Sequence, residues 1–149
     1  MVENKEDLEI REIKYDTKEY SKELELRDEV LRKPLGRSLY DDNMEAEEHD
    51  FHIGAFLNDT LVGVMILTRL SPVVVIMRQV SVDEIWRTKN IGKEMVLYAE
   101  QYSKNKGYEM MVLNARKSAV GFYEKLGYEK VSEEFLEVNI PHYKMRKLL

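Results

Sequence analysis

The chain of 149 residues is long enough for one compact domain that buries about two thirds of the surface exposed by its unfolded form. Hydrophobic residues make up 44% and charged residues 34%, which excludes an intrinsically disordered chain and a bundle of membrane helices. The formal net charge of -5 disfavours nucleic acid as a partner. The absence of cysteine excludes disulfides, thiolate metal sites and a cysteine nucleophile.

The N-terminal residues 1–12 are dense in Glu, Lys and Asp and contain no apolar stretch of the kind found in a signal peptide. No window of the sequence approaches the length of a membrane-spanning helix. We therefore expect no export and no membrane partner. A reducing cytoplasm is compatible with the cysteine-free composition.

The first third of the chain predicts a strand, a helix and an acidic segment. Residues 8–15 alternate weakly, as in a strand, and Thr17 is suited to cap a helix that should end near Pro34-Leu35-Gly36. Residues 38–50 show little apolar periodicity, so we predict a loop or a short solvated helix that contributes no core. The segment carries the acidic residues Asp41, Asp42, Glu45, Glu47 and Glu48.

A period of two begins at residue 51 and predicts consecutive strands. Residues 51–57 place apolar side chains on one face, and Asn58-Asp59-Thr60 supplies turn residues before a second strand over 61–70, which indicates an antiparallel hairpin. After the turn at Ser71-Pro72, the β-branched residues 73–82 favour a central strand.

The second half alternates helices and strands. A loop over 83–90 precedes a helix from Ile91 to Lys106-Gly107, and residues 108–113 predict a strand. A helix over 118–126 should end at Gly127, before one or two closing strands over 128–145. The order predicts a mixed α/β sheet with helices packed against it. In the unit over 73–113, a right-handed crossover should place the start of the helix above the carboxyl end of the central strand.

That helix start carries a candidate phosphate site formed by Arg87, Thr88, Lys89, Asn90, Ile91, Gly92 and Lys93. The first turn of a helix offers unpaired N–H groups and partial positive charge, and a glycine allows close approach of the backbone. Basic residues near a helix start are also common in proteins that bind nothing, so both interpretations stay open at this point. The glycine patterns of a dinucleotide fold and of a P-loop are absent.

The same loop resembles the acyl-CoA loop of the GNAT N-acetyltransferases, Q/R-x-x-G-x-G/A. Arg87 and Gly92 match its ends, and Asn90 stands at the place of its first glycine. A second stretch, residues 114–128, resembles the family's N-x-x-A-x-x-F-Y-x-K-x-G-F/Y ending, with altered spacing at its start. The resemblance covers residues 51–147, and two features further resemble the ElaA-like branch: Leu26-Arg27 to Leu35, and Ile140-Pro141-His142.

The resemblance implies a single GNAT domain over residues 1–149. It implies a mixed central sheet of six to seven strands flanked by about four helices, with splayed parallel strands at the acyl-CoA site. Acetyl-CoA would be the co-substrate and no metal would take part. The pantetheine arm would lie along Val80, Ser81 and Val82, and backbone donors near Val80 would polarise the acyl carbonyl.

The resemblance also implies residue roles in a direct attack by an amine. Tyr123 would protonate the departing thiolate, and Asn114 and Phe122 would contact the acyl-CoA. Without the resemblance, packing of a helix tyrosine against the sheet is the better explanation of Tyr123. Asn114 is equally well explained as a helix cap. Arg78 and His142 are candidates for contact with the acceptor. Candidates for the base are solvent water and the side chains of His49, His52, His142, Glu45, Glu47 and Glu48.

The acceptor would be a primary amine on a small molecule or a protein, and the chain would act as a monomer or homodimer. Two alternatives stay open: a non-catalytic acyl-CoA-binding module or sensor with the same fold, and a structural partner that binds no CoA.

Overall fold

A computed structural model of the chain describes residues 8–41 and 44–149, with side chains for all of these except residues 41, 44 and 87–89. The expectations for residues 1–7 and for Asp42 therefore lie outside the described residues. Internal contacts divide the chain into two compact units. The first comprises the described residues of Met1–Thr68 together with Gln79–Ala99, and the second comprises Arg69–Arg78 and Glu100–Leu149.

The described residues form a mixed sheet of eight strands, in the order β1-β2-β3-β4-β5-β8-β6, with β7 paired to β8. The strands are β1 (Leu8–Ile13), β2 (Phe51–Leu57), β3 (Thr60–Arg69), β4 (Val74–Val82), β5 (Met110–Arg116), β6 (Glu129–Lys130), β7 (Phe135–Glu137) and β8 (Ile140–Leu148). Three α-helices lie in the same residues: α1 (Lys18–Arg27), α2 (Ile91–Asn105) and α3 (Val120–Lys125). The α/β class is confirmed. The expected six to seven strands become eight because the closing segment forms three strands, and the expected helices number three rather than about four.

In the first unit, α1 begins as predicted, since the hydroxyl of Thr17 accepts a hydrogen bond from the N–H of Tyr20 at 3.2 Å. The α-helix ends at Arg27, earlier than expected, and continues as a π turn (Asp28–Arg32) and a 3-10 turn (Lys33–Leu35). Gly36 then stops the helical path in the left-handed region (φ +69°), as predicted.

The hairpin of β2 and β3 is confirmed, and its turn residues Asn58 (φ +49°) and Asp59 (φ +67°) have the positive φ pair of a type I′ turn. Burial differs from the prediction, because both faces of β2 are covered rather than one. On one face of the hairpin, Phe56 and Val64 pack with residues of β1 and α1. On the other face, a Cβ on Gly63 would lie only 2.6 Å from Met95 Sδ of α2.

The acidic segment contributes to the core, contrary to the prediction. It forms 3-10 turns at Leu39–Asp41 and Met44–Glu47, in which Leu39 is 0% and Glu47 5% exposed. The N–H of Leu39 donates to Asp28 Oδ1 at 2.6 Å. Periodicity could not show this burial, because single residues of irregular turns reach the core and the carboxylate of Glu47 pairs with a buried arginine.

In the second unit, the beginning of β4 pairs in parallel with β5, from Val74↔Met110 to Met77↔Leu113. β5 pairs antiparallel with β8, from Met110↔Leu148 to Arg116↔His142, and the short strands β6 and β7 both pair with β8. The helix over 118–126 is confirmed as a 3-10 turn followed by α3, and Gly127 follows it with φ +98°. Among the described residues, no helix is both long and apolar enough to cross a bilayer.

Candidate active site

The segment between β4 and α2 forms a tight turn that leads directly into a helix. Asp83 anchors the turn: its N–H donates to the carbonyl of Val62 on β3 at 2.8 Å, and its carboxylate accepts from the N–H of Ile85 at 3.1 Å. A 3-10 turn, Glu84–Lys89, follows, and Asn90 joins it to α2. The turn is therefore fixed to the sheet at its first residue.

Asn90 has a left-handed backbone, with φ +60°. Asparagine is among the few residues other than glycine that adopt this conformation routinely. Its carbonyl accepts a hydrogen bond from the N–H of Glu94 at 3.1 Å, which starts the helical ladder. Asn90 therefore takes the backbone conformation that a glycine adopts freely.

The first turn of α2 provides the donor groups of this site. A helix of 15 residues leaves its first N–H groups without intrahelical partners and has partial positive charge at its start. Gly92 is half-buried and Lys93 is exposed. These groups fit a diphosphate. The side chains of Arg87, Thr88 and Lys89 lie outside the described part of the chain, so their contribution stays a prediction.

The end of β4 departs from regular strand geometry. Gln79 has φ +53°, in the left-handed region, although it lies inside the strand. Ser81 is 1% exposed and its hydroxyl donates to the carbonyl of Gln79 at 3.1 Å, while Val80 and Val82 are half-buried. The distortion therefore lies one residue before Val80, the predicted carbonyl-polarising position.

A buried polar cluster includes this distorted residue. Arg27 lies at its centre and is 0% exposed. The Nε of Arg27 donates to Gln79 Oε1 at 2.8 Å and its Nη1 donates to Glu23 Oε2 at 2.9 Å. The Nη1 and Nη2 groups donate to the two oxygens of Glu47 at 2.8 Å and 2.5 Å. We define the buried polar cluster as Tyr20, Glu23, Arg27, Glu47, His52 and Gln79.

The charges of the cluster stabilise one another. Burial alone would lower the pKa of Arg27, but the hydrogen bond and charge of Glu47, with the charge of Glu23, raise it. Burial alone would raise the pKa of Glu47, but hydrogen bonding to Arg27 holds it below the usual range. Tyr20 donates its hydroxyl to Glu47 Oε1 at 2.9 Å. The guanidinium and the Glu47 carboxylate therefore stay ionised at neutral pH.

His52 of this cluster is 1% exposed, and both of its ring nitrogens face acceptors. Nδ1 lies 2.8 Å from Glu23 Oε2, and Nε2 lies 3.0 Å from the carbonyl oxygen of Glu47. Burial alone would lower the pKa of His52, but the hydrogen bond and charge of Glu23 raise it. An imidazolium has no lone pair with which to accept the proton of an amine, so this geometry argues against His52 as the base.

Three members of the cluster have the spacing of a metal site. Glu23, Glu47 and His52 each offer one ligand atom within 4.8 Å of the others. However, both carboxylates already pair with Arg27. Among the described residues these ion pairs account for most of the polar contacts of the group, although Glu23 Oε1 is buried and has no hydrogen-bond partner there.

In the second unit, Phe122 and Tyr123 lie side by side in α3. Phe122 is 39% exposed and Tyr123 8% exposed, and their rings meet edge to face at 5.0 Å. Burial raises the pKa of Tyr123 to about 12. The hydroxyl is therefore protonated throughout the neutral range, as a proton donor must be before the reaction.

Tyr128, the last residue of the second motif, packs against Tyr123. The ring of Tyr128 lies 5.7 Å from that of Tyr123, and its hydroxyl donates to Glu100 Oε2 at 2.9 Å. Lys147 Nζ donates to Glu100 Oε1 at 2.9 Å and to the carbonyl of Leu126 at 2.8 Å. This part of the motif thus has a structural explanation of its own.

Asn114 and His142 meet at one carboxylate. Asn114 Nδ2 donates to Glu137 Oε1 at 3.3 Å, and His142 Nε2 lies 3.4 Å from Glu137 Oε2. His142 Nδ1 faces the carbonyl of Ile140 at 2.7 Å, and the ring stacks on Phe135 at 6.0 Å. Asn114 Oδ1 is buried and has no hydrogen-bond partner among the described residues.

The predicted site residues thus form local groups within each unit. In the first unit, Val80–Val82 and residues 90–93 are joined by the anchored turn. In the second unit, the aromatic pair lies in α3, Asn114 and His142 share Glu137, and Arg78 is half-buried on β4. Their roles in binding and catalysis stay predictions.

The sequence did not predict the buried polar cluster. Its one local signal is the spacing of Glu23 and Arg27, four residues apart on α1. Such pairs are common on solvated helix faces, so the spacing alone indicated no burial.

Comparison with known proteins places the chain among acetyltransferases. The family model described as "Acetyltransferase (GNAT) domain" matches residues 16–149. A putative acetyltransferase of Bacillus subtilis is 37% identical over 71 residues, which are 48% of each chain. The chain spans about half the length of the curated relatives it matches.

Two solved structures show the same fold at low identity. Escherichia coli ElaA has a TM-score of 0.79 at 19% identity, covering 94% of this chain and 99% of that one. An aminoglycoside 6'-N-acetyltransferase complexed with coenzyme A has a TM-score of 0.76 at 18% identity, covering 94% and 96%. Since the family model matches nearly the whole chain, the chain belongs to the GNAT acetyltransferase family.

Proposed function

We propose that this chain is an acyl-CoA-dependent N-acetyltransferase that transfers acetyl from acetyl-CoA to a primary amine by direct attack. The observation that carries the proposal is the left-handed Asn90 leading into the open first turn of α2, which together fit a diphosphate. The aminoglycoside enzyme of the same fold, solved with coenzyme A, supports this choice of co-substrate.

The residues of the first unit would bind and orient the acyl donor. Acetyl-CoA would supply a thioester whose carbonyl carbon the amine attacks. The N–H groups of Ile91, Gly92 and Lys93 would hold its diphosphate. The backbone N–H of Val80 would polarise the acyl carbonyl, and Ser81 and Val82 would pair with the pantetheine arm.

The reaction needs two proton steps, one of which would fall to Tyr123. Tyr123 would donate a proton to the thiolate as it leaves, since its hydroxyl is protonated at neutral pH. Both ring nitrogens of His52 face acceptors, which argues against this residue as the base that removes the amine proton. Solvent water, His49, His142, Glu45 and Glu48 stay candidates for that step. Arg78 and His142 would contact the acceptor.

A non-catalytic acyl-CoA-binding module is the second candidate. The observation that favours it is that both ring nitrogens of His52 already face acceptors, which argues against one of the candidate bases. Both candidates require that acetyl-CoA binds at Asn90 and α2, and they differ only in turnover.

Calorimetric titration with acetyl-CoA tests the binding site, and thiol release across a panel of primary amines tests turnover. We expect binding together with amine-dependent thiol release. Binding without release from any amine would favour the binding module, and the absence of binding would reject both candidates.

Gly92→Glu locates the site. The substitution places a carboxylate against the diphosphate, and the two negative groups repel each other. The affinity for acetyl-CoA should fall by about 100-fold or more, which corresponds to about 2.8 kcal/mol of binding free energy. Gln101→Glu adds the same charge at an exposed position of the same helix and should leave the affinity unchanged. Equal affinity of the two variants would show that α2 does not begin at the diphosphate.

A further inference from the structure

The left-handed Gln79 needs a physical cause, since this conformation is sterically unfavourable for a residue that has a Cβ. Two side-chain hydrogen bonds act on it. Arg27 Nε donates to Gln79 Oε1 at 2.8 Å, and Ser81 Oγ donates to the Gln79 carbonyl at 3.1 Å. Gln79 is therefore held at its side chain and at its backbone.

Arg27 is a rigid anchor for this contact. Its side chain is 0% exposed, and its other N–H groups are directed at Glu23 of α1 and Glu47 of the acidic segment. A planar guanidinium bound on several sides cannot rotate without breaking buried ion pairs. Contacts with α1 and with the acidic segment therefore fix the position of Arg27 Nε. The side chain of Gln79 in β4 is held in turn by its hydrogen bond to this group.

The conformation of Gln79 sets the direction of one particular N–H. The peptide plane between Gln79 and Val80 is rigid and carries the N–H of Val80. If Gln79 relaxed to an ordinary strand conformation, that plane would rotate and the N–H would point elsewhere. In the proposed function this is the donor for the acyl carbonyl, and such a donor acts only when it is held in place beforehand.

We infer that Arg27 is a positioning residue for acyl transfer: through its hydrogen bond to Gln79 it keeps the backbone of β4 distorted, so that the Val80 N–H is aimed at the acyl carbonyl oxygen. The inference rests on the proposed function. The buried polar cluster would then orient the Val80 N–H as well as stabilise the fold.

Replacing Arg27 itself would leave Glu23 and Glu47 buried and unpaired, so that variant would test folding. The test is a matched pair at Gln79. Gln79→Ala and Gln79→Gly both remove the hydrogen bond to Arg27, and both leave the same Nε group without its acceptor. They differ in the Cβ alone, and only glycine adopts φ +53° without cost.

We expect Gln79→Gly to keep kcat within about threefold of the native chain, and Gln79→Ala to lose about tenfold or more, at similar affinity for CoA. The assay is thiol release from acetyl-CoA with the fastest amine of the panel. Both variants should lose thermal stability, because both lose the contact to Arg27, and Gln79→Ala should lose more, because alanine is strained at positive φ. Equal kcat in the two variants would overturn the inference.

A second measurement needs no acceptor. In amide NMR spectra of the 17.6 kDa chain, the Val80 N–H should differ between acetyl-CoA and CoA, because only the former carries the acyl carbonyl. That difference should persist in Gln79→Gly and disappear in Gln79→Ala. If the difference persists in both variants, the hydrogen bond from Arg27 to Gln79 does not direct the Val80 N–H, and the inference is wrong. If the native chain binds neither ligand, the proposed function fails; if it binds them and the pair behaves alike, only the inference fails.

Discussion

Tyr123 and Tyr128 are buried tyrosines of one motif whose hydroxyls lie in different surroundings. Tyr128 donates to Glu100, and burial followed by the charge of Glu100 raises its pKa. Burial alone raises the pKa of Tyr123, to about 12. A hydroxyl bound to a carboxylate has a sufficient structural role, whereas Tyr123 is the one suited to a proton transfer.

Tyr123→Phe should therefore lower turnover by roughly 10- to 10,000-fold at near-normal affinity for acetyl-CoA. Tyr128→Phe should cost about 1.5 kcal/mol of stability, since the hydrogen bond is to a charged group, and leave turnover nearly unchanged. The measurements are kcat with the best amine of the panel and thermal unfolding of both variants. Unchanged turnover in Tyr123→Phe would remove that residue from the mechanism.

The ionisation of Tyr123 also bears on the pH profile of turnover. Because its pKa is raised to about 12, its hydroxyl keeps its proton up to alkaline pH. The ratio of kcat in the native chain to kcat in Tyr123→Phe should therefore be constant from neutral pH to about pH 10. A ratio that shrank between pH 7 and pH 9 would contradict the assigned role. The ratio of kcat in the native chain and the variant, measured across this range, is the test.

At the scale of the element, α3 is a helix of six residues that depends on how its end is closed. Gly127 closes it with φ +98°, and a Cβ there would also lie 3.3 Å from Lys147 Cε. Gly121, inside the same helix, has open space around the position of a Cβ. The two glycines therefore respond in opposite ways to the same substitution.

Gly127→Ala should destabilise the fold by more than about 1 kcal/mol, because alanine is strained at positive φ. Gly121→Ala should stabilise it by about 0.5 kcal/mol, because alanine is the better helix former. Chemical denaturation of the two variants checks the signs. A destabilised Gly121→Ala, or a neutral Gly127→Ala, would contradict this account of α3.

At the scale of the whole molecule, the buried polar cluster makes the free energy of unfolding depend on pH. His52 has a raised pKa in the folded state and an ordinary value of about 6.5 when unfolded. Above pH 6.5 the folded state holds this proton more tightly than the unfolded state. Stability from His52 is therefore complete below about pH 6.5 and is lost as the pH rises through the folded pKa.

The prediction concerns the difference in unfolding free energy between the native chain and His52→Gln. It should be largest at acidic to neutral pH and should fall above about pH 6.5, by at most about 1.4 kcal/mol per pH unit. Subtracting the variant removes the titration of groups that do not contact His52. A difference that rises with pH, or stays flat to pH 9, would show that His52 is not held as an imidazolium.

The sequence predicted those features that depend on neighbouring residues. The sequence pattern placed the Thr17 cap, the hairpin turn at Asn58-Asp59, the helix ends at Gly36 and Gly127, and the start of α2 at Ile91, and all of these follow from local backbone preferences. The order of these elements, with two motifs, identified the family. Local pattern was sufficient here because caps and turns act over a few residues.

Only the tertiary structure decided what lies inside and how charge is balanced there. Nothing near Glu47 marked it as buried, because its partners Arg27 and His52 are brought to it by folding. Likewise, no residue next to Gln79 predicted its left-handed backbone, since the hydrogen bond that holds it comes from α1. A charge can be buried only where an opposite charge meets it, and that meeting depends on three-dimensional packing rather than on the spacing of residues along the chain.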